Sequence, residues 1–285
     1  MPYTTLIKAE TLLRHLSKPG WRTFDCRASA SDPQVGIRAY RAGHIPGARH
    51  ADLDHVLAAP PGPATGRHPL PDRGMLTAWF SREGVGPDTQ IVAYDDACGM
   101  FAARLWWLVR WLGHASVAVL DGGLEAWRAA GGALVPGTAT APQAAKFTAR
   151  PSLTEFVTAA EVLRIVAAET PGVLVDARAA PRYRGESEPL DPVAGHIPGA
   201  RNRPFAGNLD ADRRFLPVPK LRERFGELAA DHAERVVHYC GSGVTACHNL
   251  LAMEHAGLIG AKLYAGSWSE WIRDRRRPVT MDTEE

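Results

Sequence analysis

An eight-residue segment, AGHIPGAR, occurs twice in this chain, at residues 42–49 and again at 194–201. Eight identical residues in the same order are far beyond chance in a chain of 285 residues, so the segment marks an internal duplication. Its Pro-Gly core is typical of a turn, and a turn has to be kept in both copies. We therefore interpret His44 and His196, which lie in the two copies, as structural rather than catalytic residues.

The elements around the two segments also repeat. A predicted helix at residues 8–17 precedes a short strand, and in the second half a helix opened by the capping-box pattern Thr158-x-x-Glu161 precedes a strand at 173–178. Each half continues with a further strand, a loop, a helix, and then a strand and a glycine turn. Short strands alternating with helices predict an α/β protein of two tandem domains, each a mainly parallel sheet flanked by helices.

The composition between the copies suggests where the domains divide. Residues 136–153 are rich in Pro, Ala and Thr, which is typical of a linker. The predicted organisation is a first domain at 1–135, a linker at 136–153 and a second domain at 154–285, with the catalytic cysteine expected only in the second domain.

Composition excludes several classes of protein. A net charge of +2 is too small to indicate nucleic-acid binding, no apolar run reaches membrane-spanning length, and the first residues lack a signal-peptide pattern. The four cysteines form no C-x-x-C pair, so neither a metal site nor a disulfide framework is expected. The sequence predicts a chain without metal or cofactor in the reducing cytoplasm.

One stretch has the composition of a reactive cysteine loop. An apolar run at residues 236–239 leads to Cys240, Gly241 and Gly243 flank Ser242, and a helix-like segment follows. The two glycines are expected to take positive φ, so that several amides and the positive end of the helix dipole converge on the Cys240 sulfur. A thiol in such a field ionises more readily than a free cysteine, and the thiolate is a nucleophile open to a donor.

Two interpretations of this cysteine stay open. The alternative is a buried cysteine in an ordinary strand-to-helix turn, which is the more common environment of a lone cysteine. If the loop is reactive, the substrate-binding residues are those that carry its amides: Gly241, Gly243, Val244 and Thr245.

The aligned first copy has a different residue at this position. Tyr94-Asp95 falls on Tyr239-Cys240, so a carboxylate stands where the second copy has a thiol. An aspartate there would repel an anionic substrate, and one active site per chain is therefore expected. Cys98 lacks a glycine on each side and is not expected to be a second nucleophile.

With these motifs the sequence resembles the tandem-domain rhodanese family of sulfurtransferases. The resemblance covers both GHIPGA segments, both Asp-x-Arg strands, the Asp-Gly-Gly and Gly-Ser-Trp turns and the cysteine loop. It implies that Cys240 takes a sulfane sulfur from a small anionic donor, becomes a persulfide, and passes the sulfur to a thiol, to thioredoxin or to cyanide. The loop is similar to that of 3-mercaptopyruvate sulfurtransferases, whereas thiosulfate enzymes more often have basic residues directly after the cysteine.

The resemblance also implies roles for residues outside the loop. A Ser-His-Asp relay would protonate the enolate left by mercaptopyruvate, with Ser242 as the serine, His68 as the histidine and Asp54 as the aspartate, the last two from the first half. Arg182 would hold the carboxylate or sulfonate of the donor. The mercaptopyruvate pattern has a second arginine further along, where residues 188–192 (EPLDP) offer none, so thiosulfate remains an alternative donor.

Two further classes of protein compete with this interpretation. Cysteine phosphatases with a rhodanese-like fold need a longer loop that ends in arginine, and Ala246 stands where that arginine would be. A non-catalytic rhodanese-like binding module is the remaining alternative, and the presence of Cys240 between glycine-rich and strand segments argues against it.

Overall fold

The computed structural model describes residues 1–229 and 232–281. It consists of two compact units, each assembled from more than one stretch of chain. The first unit comprises Met1–Ala59, Leu70–Leu153 and Asp212–Arg214, and the second comprises Pro60–Pro69, Thr154–Ala211 and Phe215–Glu285. Of the predicted second domain, residues 230–231 and 282–285 lie outside the described residues.

The first unit is a parallel sheet flanked by helices. Its strands are β1 (Leu6–Ile7), β2 (Trp21–Asp25), β3 (Arg49–His50), β4 (Gln90–Tyr94) and β5 (Val117–Leu120). Its helices are α1 (Ala9–His15), α2 (Val35–Ala42), α3 (Arg73–Arg82), α4 (Ala102–Trp111) and α5 (Gly123–Ala129). The strand order is β1-β5-β4-β2-β3, and each of these pairs is parallel.

The second unit repeats the design. Its strands are β6 (Glu155–Val157), β7 (Val173–Asp176), β8 (Arg201–Asn202), β9 (Val236–Tyr239) and β10 (Lys262–Tyr264). Its helices are α6 (Ala159–Val166), α7 (Ala180–Arg184), α8 (Val218–Ala229), α9 (Thr245–His255) and α10 (Ser267–Trp271). The order β6-β10-β9-β7-β8 corresponds strand for strand to that of the first unit, again with parallel pairing, so the predicted fold class is confirmed.

Local sequence explains several of these elements. Strand β9 is buried along its whole length, as expected for an apolar strand inside a parallel sheet. Helix α6 begins at the predicted capping box, where Thr158 Oγ1 accepts from the Glu161 amide at 3.3 Å and Glu161 Oε2 accepts from the Thr158 amide at 2.7 Å. All ten residues of α4 are buried, and its tryptophans are therefore core residues.

A buried ion pair holds each repeated turn against its sheet. Arg178 donates to both carboxylate oxygens of Asp176, and its Nη2 also donates to the Gly195 carbonyl at 2.7 Å. Arg27 pairs with Asp25 in the same way in the first unit. The Asp-x-Arg strand and the turn of the GHIPGA segment thus form one hydrogen-bonded assembly, which accounts for their joint repetition.

The two repeated histidines have the structural environment that the turn interpretation predicts. His44 stacks on Tyr40 with ring centroids 4.1 Å apart, and His196 stacks on Tyr183 at 3.7 Å. In each case the histidine Nδ1 lies within hydrogen-bond distance of the carbonyl of that tyrosine. Both histidines are buried.

Two segments lie elsewhere than their position in the sequence suggests. The predicted linker packs along the first unit, where the Gly137 amide donates to the Arg41 carbonyl at 2.8 Å and the Ala145 amide donates to the Ser81 carbonyl at 2.9 Å. Residues 60–69, which the predicted boundaries put in the first domain, belong to the second unit. None of the helices in the described residues is both long and apolar enough to cross a bilayer.

Candidate active site

Cys240 lies directly after β9, in the loop that leads to α9. Loops that follow the carboxyl ends of parallel strands are the usual position of active sites in α/β sheets. The loop is held by the segment at the start of α10: the Cys240 amide donates to Ser267 Oγ at 3.1 Å, and the Trp268 amide donates to the Cys240 carbonyl at 3.0 Å. Cys240 is therefore fixed by hydrogen bonds of both its amide and its carbonyl.

A backbone amide is directed at the sulfur. Of the several amides that the sequence pattern predicts to converge on Cys240 Sγ, that of Gly243 lies 3.2 Å from it. Gly243 has φ 77°, and a Cβ atom at this position would lie 2.3 Å from the Ala265 carbonyl oxygen. Glycine at 243 is therefore required both by its conformation and by the space available. Val244 and Thr245 follow it, at the start of α9.

The sulfur is less accessible than expected. Cys240 is 2% exposed, and Ser242 in the same loop is 6% exposed. The expectation of an open thiol is wrong in this respect, because the loop is packed between the sheet and the segment at the start of α10.

Two of the three predicted relay residues meet. His68 Nδ1 lies 2.8 Å from Ser242 Oγ, and both residues belong to the second unit. The segment that carries His68 is anchored next to it, since the Arg67 amide donates to Ser269 Oγ at 3.0 Å. A serine and a histidine in hydrogen-bond contact form a proton-transfer pair, and this serine lies two residues after a candidate nucleophile.

Asp54, the third predicted member of the relay, lies in the first unit. Its amide donates to Asp52 Oδ1 at 2.9 Å in a tight turn. Burial and then the negative charge of Asp52 raise the pKa of Asp54 above its usual value. Its participation in the relay stays a prediction.

Arg182 lies among buried carboxylates. Its Nη2 is 2.6 Å from Glu188 Oε1 and 3.4 Å from Asp191 Oδ2, and the Glu188 carboxylate also receives Arg178 Nη1 at 3.1 Å. Burial raises the pKa of Glu188, but hydrogen bonds from Arg182 and the Leu190 amide, with the two arginine charges, outweigh it and leave the pKa below its usual value. Glu188 is therefore an ionised counterion.

Two arginines approach Gly241, the residue after Cys240. A Cβ atom built on Gly241 would lie 2.9 Å from Arg67 Nη2 and 3.3 Å from Arg182 Nη2. Gly241 is not among the positive-φ residues of the described chain, so the expectation that both loop glycines take positive φ is wrong for this one. Its lack of a side chain instead makes room for the guanidinium groups. Sequence reasoning missed Arg67, whose position beside His68 was the available signal.

In the corresponding loop of the first unit, the backbone amides bind a carboxylate of the same loop. Asp95 is fully buried, and its carboxylate accepts hydrogen bonds from the amides of Ala97, Gly99, Phe101 and Ala102 at 2.8–2.9 Å. Burial raises the pKa of Asp95 despite these hydrogen bonds. The predicted replacement of a thiol by a carboxylate at the focus of the loop amides is confirmed.

Cys98 belongs to this first loop. Its φ is 61°, and Arg213 Nε donates to its sulfur at 2.8 Å. Burial raises the pKa of the Cys98 thiol, although the hydrogen bond and charge of Arg213 act in the opposite direction. This environment differs from that of Cys240, whose sulfur receives a loop amide.

Comparison with known proteins agrees with the fold and the loop. Residues 8–130 and 158–274 each match the rhodanese-like domain family. A Pseudomonas aeruginosa protein named "Probable 3-mercaptopyruvate sulfurtransferase" is 49% identical over 283 residues, which cover 98% of this chain and 99% of that protein. The chain is a tandem-domain sulfurtransferase of the rhodanese family. The predicted family and the prediction of an enzyme are thereby confirmed.

Other members of the family are similar over most of the chain. Mouse thiosulfate sulfurtransferase is 31% identical over 277 residues, which cover 95% of this chain and 91% of that protein. The structure of 3-mercaptopyruvate sulfurtransferase from Leishmania major superposes with a TM-score of 0.84 at 31% identity, covering 97% of this chain and 76% of that chain. Family membership implies a sulfur donor and a thiol acceptor in general terms.

The two loop glycines predict different effects on stability. Gly243→Ala is expected to lower the free energy of unfolding by at least about 1–2 kcal/mol, the cost of a left-handed conformation, because the new methyl group also meets a backbone carbonyl. Gly241→Ala is expected to cost little, because it meets the movable ends of two arginines. Urea unfolding of both variants checks this, and equal losses would contradict it.

Proposed function

We propose that this sulfurtransferase takes its sulfur from 3-mercaptopyruvate, holds it as a persulfide on Cys240, and passes it to a thiol or to cyanide. The observation that carries the proposal is the 2.8 Å contact between His68 Nδ1 and Ser242 Oγ in the loop of the candidate nucleophile. A proton-transfer pair at this position is needed by a donor whose leaving group is a carbanion. Such a pair is not needed by a donor whose leaving group is a stable anion.

The sulfur transfer conserves atoms and charge in each step. The Cys240 thiolate attacks the mercaptopyruvate sulfur, the carbon–sulfur bond breaks, and its electron pair goes to carbon as the enolate of pyruvate. Protonation of that carbon gives pyruvate. The thiolate of an acceptor, or cyanide, then attacks the outer sulfur of the persulfide, forming a new persulfide or thiocyanate and restoring the Cys240 thiolate.

The polar residues of the site have complementary roles in this scheme. Ser242, oriented by His68, delivers the proton to the enolate carbon, and Asp54 is proposed to fix the histidine as the third member of the relay. The amides of Gly241, Gly243, Val244 and Thr245 are proposed to stabilise the persulfide anion; they would do so without any added base.

Arg182 is proposed to bind the carboxylate of the donor. Its guanidinium lies beside the loop, and a planar group with several N–H donors suits a carboxylate. The acceptor is proposed to be a small thiol, thioredoxin or cyanide, in the cytoplasm. The four free cysteines of the chain are consistent with such a reducing environment.

Thiosulfate is the second candidate donor. Its support is the similarity to mouse thiosulfate sulfurtransferase and the presence of two arginines at the loop, which suit a divalent anion. Attack of Cys240 on the outer sulfur of thiosulfate releases sulfite, and no carbon has to be protonated.

The experiment that tests the proposal compares the two donors. The purified protein is incubated with mercaptopyruvate or with thiosulfate, its intact mass is measured, and kcat/KM is determined for each donor with a thiol acceptor. A mass increase of one sulfur atom with both donors and a larger kcat/KM for mercaptopyruvate are expected. A larger kcat/KM for thiosulfate would favour the second candidate, and no sulfur gain from either would favour a binding module.

Ser242→Ala separates the two donors. Loss of the proton donor is expected to lower kcat with mercaptopyruvate by about 100-fold or more, the usual contribution of general acid catalysis, and to change kcat with thiosulfate far less. Ser31→Ala, at an exposed serine of the first unit, is the matched control. Equal losses with both donors would remove the proton relay from the mechanism.

A further inference from the structure

We propose that Ser269 is a positioning residue for sulfur transfer from mercaptopyruvate, which holds His68 against Ser242 by joining the segment at residues 60–69 to the Cys240 loop. The inference rests on the proposed function, because it concerns the proton-transfer pair that this donor requires. Ser269 is not a catalytic residue in this proposal, since it acts through the placement of His68.

The hydrogen bonds of Ser269 are the first argument. Its amide donates to the Gly241 carbonyl at 2.9 Å, and its Oγ accepts from the Arg67 amide at 3.0 Å. Gly241 directly precedes Ser242, and Arg67 directly precedes His68. One residue is thus bonded to the immediate neighbours of both members of the proton-transfer pair.

The separation of the pair along the chain is the second argument. His68 Nδ1 and Ser242 Oγ are 2.8 Å apart, although the two residues are 174 positions apart in the sequence. Local chain geometry cannot fix such a contact, so tertiary contacts have to maintain it. A displacement of about 1 Å at a reacting group can cost about 100-fold in rate. A residue bonded to both neighbours therefore controls a distance on which the proton transfer depends.

The close packing around Ser269 is the third argument. Ser269 is 2% exposed. A Cβ atom built on Gly66 would lie 2.4 Å from the Gly266 carbonyl oxygen and 2.8 Å from Ser269 Oγ, so the segment at 60–69 passes the start of α10 with no room for a side chain. Water therefore has little access to replace the hydroxyl as the acceptor for the Arg67 amide.

The first copy of the repeat supplies an internal comparison. Glu125 occupies there the position that Ser269 has in the second copy, and its side chain is exposed. The turn is nevertheless the same, because the Leu124 amide donates to the Asp95 carbonyl at 2.9 Å, as the corresponding amide of the second copy does. The turn forms without a buried hydroxyl at this position, which indicates that the hydroxyl of Ser269 has a role beyond holding the turn.

The test compares Ser269→Ala with a control variant on both donors. Ser269→Ala is expected to lower kcat with mercaptopyruvate roughly 10- to 100-fold and to change kcat with thiosulfate far less, because only mercaptopyruvate leaves a carbon to be protonated. Ser81 of the first unit is the matched control, since its Oγ also accepts a backbone amide, that of Phe147 at 3.2 Å. Ser81→Ala should leave kcat with both donors unchanged. Equal losses with both donors in Ser269→Ala would show a merely structural role and overturn the inference.

A second variant reaches the same contact from the other segment. Gly66→Ala places a methyl group against Ser269 Oγ and the Gly266 carbonyl, and it should cause the same donor-selective loss. Amide hydrogen exchange, measured by mass spectrometry, needs no turnover. Exchange at residues 60–69 should be faster in Ser269→Ala, while exchange in β9 should not change. Unchanged exchange at residues 60–69 would overturn the inference.

Combining Ser269→Ala with Ser242→Ala shows whether the two residues act through one pair. The combined variant should have the same kcat with mercaptopyruvate as Ser242→Ala alone, because no pair remains to be positioned. A further loss in the combined variant contradicts the inference. A Ser269→Ala variant with unchanged kcat beside an impaired Ser242→Ala overturns the inference and leaves the proposed function intact. Equal losses with both donors in Ser242→Ala would instead remove the proton relay itself, and the inference with it.

Discussion

Cys240→Ser is expected to abolish sulfur loading and to lower turnover with either donor by at least about a thousandfold, since a catalytic nucleophile has no substitute in the loop. The hydroxyl keeps the shape of the side chain, and the amide of Gly243 can still donate to it. A serine at neutral pH is a far weaker nucleophile than a cysteine, however, and it cannot form a persulfide. The loss of turnover should therefore come from the missing thiolate, with the fold unchanged.

Intact mass after incubation with mercaptopyruvate measures this effect directly. Cys98→Ser is the matched control, because Cys98 is a partly exposed loop cysteine of the first unit and should be dispensable. Sulfur retained by Cys240→Ser, or lost from Cys98→Ser, would contradict the assignment of the nucleophile.

Arg178→Ala is expected to lower the free energy of unfolding by about 3–5 kcal/mol, because it leaves the buried carboxylate of Asp176 without its partner. The Arg178 side chain is 1% exposed and that of Asp176 is fully buried, so water cannot replace the lost hydrogen bonds. The substitution also removes the donor to the Gly195 carbonyl, which holds the repeated turn.

Chemical unfolding followed by tryptophan fluorescence is the measurement. Arg184→Ala removes a partly exposed arginine of α7, six residues further along the chain, and should change the free energy of unfolding by less than about 0.5 kcal/mol. A loss below 1 kcal/mol in Arg178→Ala would show that the ion pair does not hold the turn.

The fold could be predicted almost entirely from the sequence, because the duplication made each element visible twice. The capping box at Thr158, the apolar strand before Cys240 and the repeated GHIPGA turn are all local signals, and each lies where its pattern predicts. Local signals were sufficient because short parallel strands and their helices are specified by nearby residues.

The site could be predicted only in part. Cys240, Ser242 and His68 were predicted as site residues, and the structure brings the last two into contact, but the environment of each depends on distant segments. The position of Arg67 beside His68 was a signal that it lies near the site, but its approach to Gly241 depends on how residues 60–69 fold within the second unit. The burial of Cys240 is likewise a result of tertiary packing, which a glycine pattern does not specify.

The carboxylate of Asp95 has a consequence for how the two halves of the chain respond to their surroundings. A tethered group at a binding point acts at a very high effective concentration, so the first loop is permanently saturated by a ligand that it carries covalently. The conformation of the first loop should therefore not depend on the concentration of dissolved anions. The corresponding point of the second unit is occupied by the Cys240 sulfur, a group that can accept a further sulfur atom, so of these two loops it is the one whose bound group can change with the supply of a dissolved donor.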